Sequence, residues 1–168
     1  NLDQEILYVN SLATGLGSND IGLDRGQLGG GRVVKFVKMG NKIMLHQPNY
    51  KFRAISDNPE ERRAVTDAFA SSVLWAFAIE KADEDGFWID ATDFFMRDAH
   101  DVIGTLAQKK QGNYKLNIDQ SAFYLDRTKN FPKNSEFEVL LTFSGKPNSV
   151  DVRSVSPTAT QLSLRQHH

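Results

Sequence analysis

Residues 57–77 read DNPEERRAVTDAFASSVLWAF, a stretch in which a helical pattern gives way to an alternating one. A proline follows Asn58, and Glu61 stands three residues after Asn58. Proline at the first helical position and a glutamate three residues after the cap are the signature of a helix start. The stretch therefore predicts a helix over residues 59–74.

The apolar side chains of this helix define the face that we expect to enter the core. Val65, Phe69 and Val73 recur at helical spacing, whereas Trp75 and Phe77 alternate as residues on one face of a strand do. We therefore expect Phe69 to be a core residue and a strand to follow the helix.

A second helix is predicted over residues 98–110. It opens with Asp98 as the cap, carries apolar residues at helical spacing, and stops before Gly112. The remaining apolar runs are short and separated by turn residues, as in the segment 32–47, which has the pattern of a hairpin. The fold class that we predict is α+β: a mainly antiparallel β-sheet with two α-helices, over 59–74 and 98–110.

Composition narrows the classes of function. The chain has 168 residues and no cysteine, and its formal net charge is -1, so no strong positive field favours nucleic acid. No apolar run is long enough to span a bilayer as a helix. We expect residues 1–168 to form a single domain excised from a larger protein, because the chain starts at Asn1 and stops at the end of a strand-like segment.

The segment 13–31 is a long loop that contains seven of the 12 glycines. It lacks the third glycine of a dinucleotide-binding motif, and its spacing does not match a calcium-binding EF-hand loop. A loop this long without secondary structure is often functional, so we predict an interface or ligand loop here. Its candidate contact residues are Gly15, Gly17, Asn19, Asp20, Asp24, Arg25 and Gly26. The alternative is that its leucines and isoleucine simply fill the core of the domain.

The sequence contains no recognisable catalytic or metal-binding motif. None of the four histidines has the spacing of a zinc-binding helix, and adjacent His167 and His168 should point to opposite faces of a strand, as native residues or as the start of a tag. Ser71 and Ser72 are expected to pack within the first helix. We therefore assign no catalytic residue, no metal ligand and no cofactor to this chain.

A group of aspartates, Asp90, Asp93, Asp98 and Asp101, could suggest a paired general acid and base. Asp98 and Asp101 already have roles at the start of the second helix. Asp90 and Asp93 should face opposite sides of a strand. We interpret the group as structural.

Four stretches carry a resemblance to a known kind of domain. They are GLGSNDIGLDRGQ at 15–27, DNPEERRAVTDAFASSVLWAF at 57–77, IDATDFFMRDAH at 89–100 and LRQHH at 164–168. In this order they resemble uncharacterised domains that precede a metzincin-like zinc protease domain in large secreted or periplasmic bacterial proteins. The resemblance implies a parent zinc metalloprotease whose zinc lies in a later, C-terminal domain, and a periplasmic or secreted setting.

Three functions follow as expectations. The first is a noncatalytic accessory domain that packs against the catalytic domain or positions its substrate. The second is a prodomain-like segment that chaperones or masks the active site. The third, from a different class, is a stand-alone ligand-binding or hydrolytic domain that uses the glycine loop.

Overall fold

A computed structural model of the chain describes residues 1–17 and 20–168. About 42% of the residues are in strands, nearly all of them antiparallel, and 18% are helical. The prediction of a mainly antiparallel α+β fold is confirmed. The chain divides into two compact units, the first formed by Asn1–Tyr8 and Arg32–Ala91 and the second by Val9–Gly31 and Thr92–His168. The expectation of a single domain stays a prediction.

The first unit is built on a five-stranded sheet. Its strands are β1 (Glu5–Tyr8), β3 (Arg32–Met39), β4 (Lys42–Gln47), β5 (Ser72–Asp83) and β6 (Gly86–Ile89), and they lie side by side in that order. The hairpin of β3 and β4 turns at Gly40, which has a positive φ of 60° that glycine adopts without strain. This confirms the hairpin predicted over 32–47.

The second unit is built on a four-stranded sheet with the order β2, β11, β10, β7. These strands are β2 (Ser11–Leu12), β7 (Gly112–Phe123), β10 (Glu138–Pro147) and β11 (Gln161–His167). A separate small hairpin joins β8 (Lys129–Asn130) to β9 (Ser135–Glu136). One face of the sheet carries the large hydrophobic core, which contains Leu12, Tyr114, Val139, Leu141, Phe143, Leu162 and Leu164.

Four α-helices occur in the described residues, not the two that the sequence predicts. They are α1 (Pro59–Ala68), α2 (Thr92–Phe95), α3 (Val102–Gln108) and α4 (Val150–Val155). The segments of α2 and α4 have the sequence pattern of strands. Each is a short helix of one to two turns that buries an apolar residue, Phe94 in α2 and Val152 in α4. Tertiary burial therefore outweighs local pattern at both positions.

The helix predicted over 59–74 is shorter than expected. Asn58 caps α1 as predicted, with its Oδ1 accepting a hydrogen bond from the Glu60 amide at 3.0 Å. The helix ends at Ala68, because Ser72 begins β5, which pairs along β4. Phe69 is not a core residue: it is 38% exposed and stacks on Phe52. The cooperative ladder of a central strand overrides the helical spacing of Phe69 and Val73.

The helix predicted over 98–110 is also shorter, spanning only Val102–Gln108. Asp98 lies four residues before this helix and still caps it. Its carboxylate accepts hydrogen bonds from the amides of Val102 and Ile103 at 2.8 and 2.9 Å. Asp101, at the cap position itself, has a left-handed backbone with φ 57° and makes no capping bond.

Candidate interaction surface

The glycine loop 13–31 is anchored in the second unit. Leu16, Ile21 and Leu23 are buried in its hydrophobic core, whereas Leu28 is exposed. Three of the four large apolar side chains of the loop therefore fill the core of their own unit. Of these four apolar side chains, Leu28 alone is exposed to contact another molecule.

Several backbone amides of the loop donate hydrogen bonds within this unit. The amide of Leu16 donates to the carbonyl of Leu23, and that of Gly26 donates to the carbonyl of Leu12, at 2.9 and 2.7 Å. A side-chain carbon on Gly15 would lie within 2.6 Å of the Leu23 carbonyl oxygen, so glycine is required at this close approach. These amides are occupied in holding the loop closed and are not directed at an outside anion.

The predicted loop residues differ in their exposure. Gly17, Asp20, Arg25 and Gly26 are exposed, and Gly15 and Asp24 are half-buried. Asn19 lies outside the described residues. The role of these residues as an interface or ligand loop stays a prediction.

The aspartates of the second candidate region have separate positions. Asp90 follows β6, Asp93 lies in α2, and Asp98 and Asp101 lie at the start of α3. Burial raises the pKa of Asp98, while its hydrogen bonds from the α3 amides act in the opposite direction. Its carboxylate is therefore engaged in holding a helix terminus.

A serine and a histidine meet at one end of the first sheet, which the sequence did not predict. His46 Nε2 lies 2.7 Å from the Ser71 hydroxyl, because Ser71 stands just before β5 and not inside a helix. Partial burial lowers the pKa of His46, with the Lys35 ammonium acting in the same direction. However, His46 Nδ1 is buried without a hydrogen-bond partner in the described residues. The pair therefore lacks the third group that orients the base in nucleophilic catalysis.

The most distinctive surface is one face of the five-stranded sheet. The opposite face buries Val34, Ile43, Leu45 and Phe77. Strand register assigns the alternate residues to this second face, which we call the open face. Its apolar residues are Leu7, Val33, Val37, Met39, Met44, Val73, Ala76, Ala78 and Trp88.

Every strand of the sheet contributes apolar side chains to the open face. Five of its large side chains are 39–69% exposed, namely Leu7, Val33, Met39, Val73 and Trp88, whereas Val37 and Met44 are half-buried. An antiparallel sheet with one face in water normally alternates apolar residues inward with polar residues outward. The open face departs from this rule only in part, since strand register places Glu5, Lys35, Lys42, His46 and Lys81 on it among the apolar residues.

Trp88 is held in a fixed position on the open face although it is 58% exposed. Its indole N–H donates to the Asp83 carboxylate at 3.0 Å, and the Lys81 ammonium lies 5.8 Å from the ring centroid. Lys81 and Asp83 also form an ion pair at 2.7 Å. A tryptophan that is exposed and already ordered loses little side-chain freedom when a partner covers it.

The described residues contain no cluster of three or more His, Cys, Asp or Glu side chains suited to a metal ion. Within the same ranges, no helix has the length and hydropathy needed to cross a bilayer.

Comparison with known protein families identifies one match. Residues 26–168 match the family described as Domain of unknown function (DUF5117). The chain belongs to this family. Searches of curated proteins and of solved structures found no match.

The DUF5117 match includes four of the five strands that form the open face, β3 to β6, and it continues to His168. It begins at Gly26, so the other loop candidates, from Gly15 to Arg25, lie before the matched region. His167 and His168 both lie inside it. His167 ends β11, and the backbone of His168 forms two hydrogen bonds with Phe137. In this DUF5117 domain, most of the open face thus lies in the matched region and most of the glycine loop does not.

Proposed function

We propose that this DUF5117 domain is a noncatalytic accessory domain of a bacterial zinc metalloprotease, and that it packs against the catalytic domain of the same polypeptide through its open face. The single observation that carries the packing role is the set of exposed apolar side chains that β1, β3, β5 and β6 place on the open face, with half-buried Met44 on β4 between them. The protease, its zinc and its periplasmic or secreted setting come from the resemblance of the sequence stretches described above.

Physical chemistry favours a covered surface at this position. Full burial of a fully exposed large apolar side chain gains about 1.5–3 kcal/mol, and each partly exposed side chain of the open face would gain a proportionate part of this. Methionine and tryptophan, represented by Met39 and Trp88, are enriched at protein interfaces, where charged groups lie at the rim. Lys42 and the Lys81–Asp83 ion pair supply such groups beside the apolar residues.

Two other functions give different outcomes. A prodomain-like mask would reduce turnover when the isolated domain is added to its catalytic partner, whereas a positioning module would not. A stand-alone ligand-binding or hydrolytic domain would act without any partner. The described contacts favour packing over this third function, because the loop amides are engaged internally and the His46–Ser71 pair lacks an orienting group.

The test uses the full-length protein and two matched sets of variants. Met39→Glu and Val73→Glu place a charge on the open face, while Ile118→Glu and Leu125→Glu place the same charge on exposed apolar residues of the second unit. Amide hydrogen exchange in β3 and β5 is compared between the full-length protein, the variants and the isolated chain. We expect the open-face variants to increase exchange in β3 and β5 by about tenfold or more, because interface anchors typically contribute over 1 kcal/mol.

The controls should leave exchange in β3 and β5 unchanged. Equal protection of both strands in the isolated chain and in the full-length protein would contradict packing through the open face. If the full-length protein contains no zinc protease domain, the protease assignment is wrong, whatever the exchange measurements show for the open face.

A further inference from the structure

Gln166 is the centre of a buried hydrogen-bond network in the second unit. It lies on β11, is 1% exposed, and uses both ends of its side-chain amide. Its Oε1 accepts from the His100 amide, and its Nε2 donates to the Arg97 carbonyl, both at 3.0 Å. One glutamine side chain therefore joins the loop 97–101 to the terminal strand.

The second hydrogen of the Gln166 amide fixes the chemical state of His168. Gln166 Nε2 lies 2.8 Å from His168 Nε2. An amide nitrogen only donates, so the ring nitrogen must accept, and the imidazole must be neutral with its proton on Nδ1. A backbone hydrogen bond involving Phe95 further fixes the ring.

The surroundings of His168 disfavour a positive charge. The ring is buried and meets Phe95 edge-on at a centroid distance of 5.2 Å, with Phe94 at 6.1 Å. Burial, together with the charges of Arg97 on the loop and His167 on the strand, lowers the pKa of His168 to about 4. On β10, the carboxylate of Glu138 is engaged by Arg165 at 2.6 Å.

We propose that Gln166 and His168 form a pH-sensitive latch that holds the segment from Phe94 to Asp101 against β11, and that protonation of His168 releases this segment. Protonated His168 carries a hydrogen on Nε2, which faces the amide hydrogen of Gln166. Two donors then oppose each other in a buried site, and the network that holds Arg97 and His100 is broken.

The segment is suited to local release because of its own backbone. Asp101 has a left-handed conformation with φ 57°, which is costly for a residue other than glycine. Its carboxylate also lies close against the Cα atom of Gly104. Contacts from outside the segment, such as those of Gln166, therefore help to maintain this conformation.

Hydrogen exchange on the folded chain at several pH values tests the latch. If His168 returns to its ordinary pKa of 6.5 on release, the opening equilibrium should increase about 25-fold between pH 7.5 and 5.0. After correction for intrinsic exchange, peptides that cover residues 94–101 should lose protection by this factor through a local opening that urea does not promote, whereas peptides from β10 should exchange only through the urea-dependent global unfolding. The loss should be much smaller in His168→Gln than in the matched control His167→Gln, the remainder coming from the buried His100 of the same segment.

An equal loss in His168→Gln, or exchange of residues 94–101 only through the urea-dependent unfolding that exposes β10, would overturn the latch. If His168→Gln does not fold, an NMR titration of the unmodified chain tests the proposal instead. In an NMR titration, the amide of His100 should shift with the same midpoint as the His168 ring. Different midpoints for these two signals would also overturn the proposal.

Discussion

Two phenylalanines show what burial, and not residue type, contributes to stability. Phe143 on β10 is fully buried in the core of the second unit, whereas Phe69 is 38% exposed and its ring stacks on Phe52 at 3.9 Å between centroids. The energetic difference between them arises from the atoms that surround each ring in the folded chain.

We expect Phe143→Ala to lower the free energy of unfolding by about 3–5 kcal/mol, since it removes a large side chain and leaves a cavity. Phe69→Ala should cost only about 1 kcal/mol, the contribution of an exposed aromatic pair. Urea denaturation of both variants measures the two values. A loss at Phe69 equal to that at Phe143 would mean that Phe69 is buried in the protein.

At the residue scale, the sequence predicted the caps better than the core. Asn58 and Asp98 both act at helix starts, because capping depends on a few neighbouring residues. The connections of Gln166 to Arg97 and His100 span more than 60 positions. No local pattern encodes such a contact, so the network was not predictable.

At the scale of elements, α1 differs from the other three described α-helices because none of its residues is buried. Its start was predictable, but its end depends on the pairing of β5 with β4, which local spacing does not reveal. A helix of ten residues without buried contacts relies on its cap and on its own backbone bonds. Its stability should therefore be separable from that of the sheets.

Two cap variants test this separation. Asn58→Ala should reduce protection of the α1 amides by about fivefold, equal to about 1 kcal/mol of capping energy, and leave the urea midpoint unchanged. Ser149 caps α4 through the Asp151 amide, and α4 buries Val152. Ser149→Ala should therefore lower global stability by about 1 kcal/mol. A shift of the urea midpoint in Asn58→Ala would show that α1 is coupled to the sheets.

At the scale of the whole molecule, the pairing of strands that lie far apart in the sequence could not be predicted from it. The run 5–12 has the pattern of one strand, but β1 pairs with β3 in the first sheet and β2 pairs with β11 in the second. Only Val9 and Asn10 separate these two strands. Strand order depends on long-range pairing, and the apolar character of a strand does not specify its partner. The open face was hidden for the same reason, since it becomes visible only when five strands are placed in register.

The stability of the whole chain should depend on pH through its buried histidine. In the unfolded chain His168 takes up a proton near its ordinary pKa of 6.5, whereas in the folded chain its pKa is about 4. Its neutral form therefore stabilises the fold fully above about pH 6.5, and this contribution is lost as the pH falls from 6.5 to 4. The total is about 3 kcal/mol, and burial lowers the pKa of His100 in the same direction. Urea titrations at pH 7.5 and 4.5 should give a smaller loss of stability for His168→Gln than for the unmodified chain. The same loss in both proteins would assign the pH dependence to other groups.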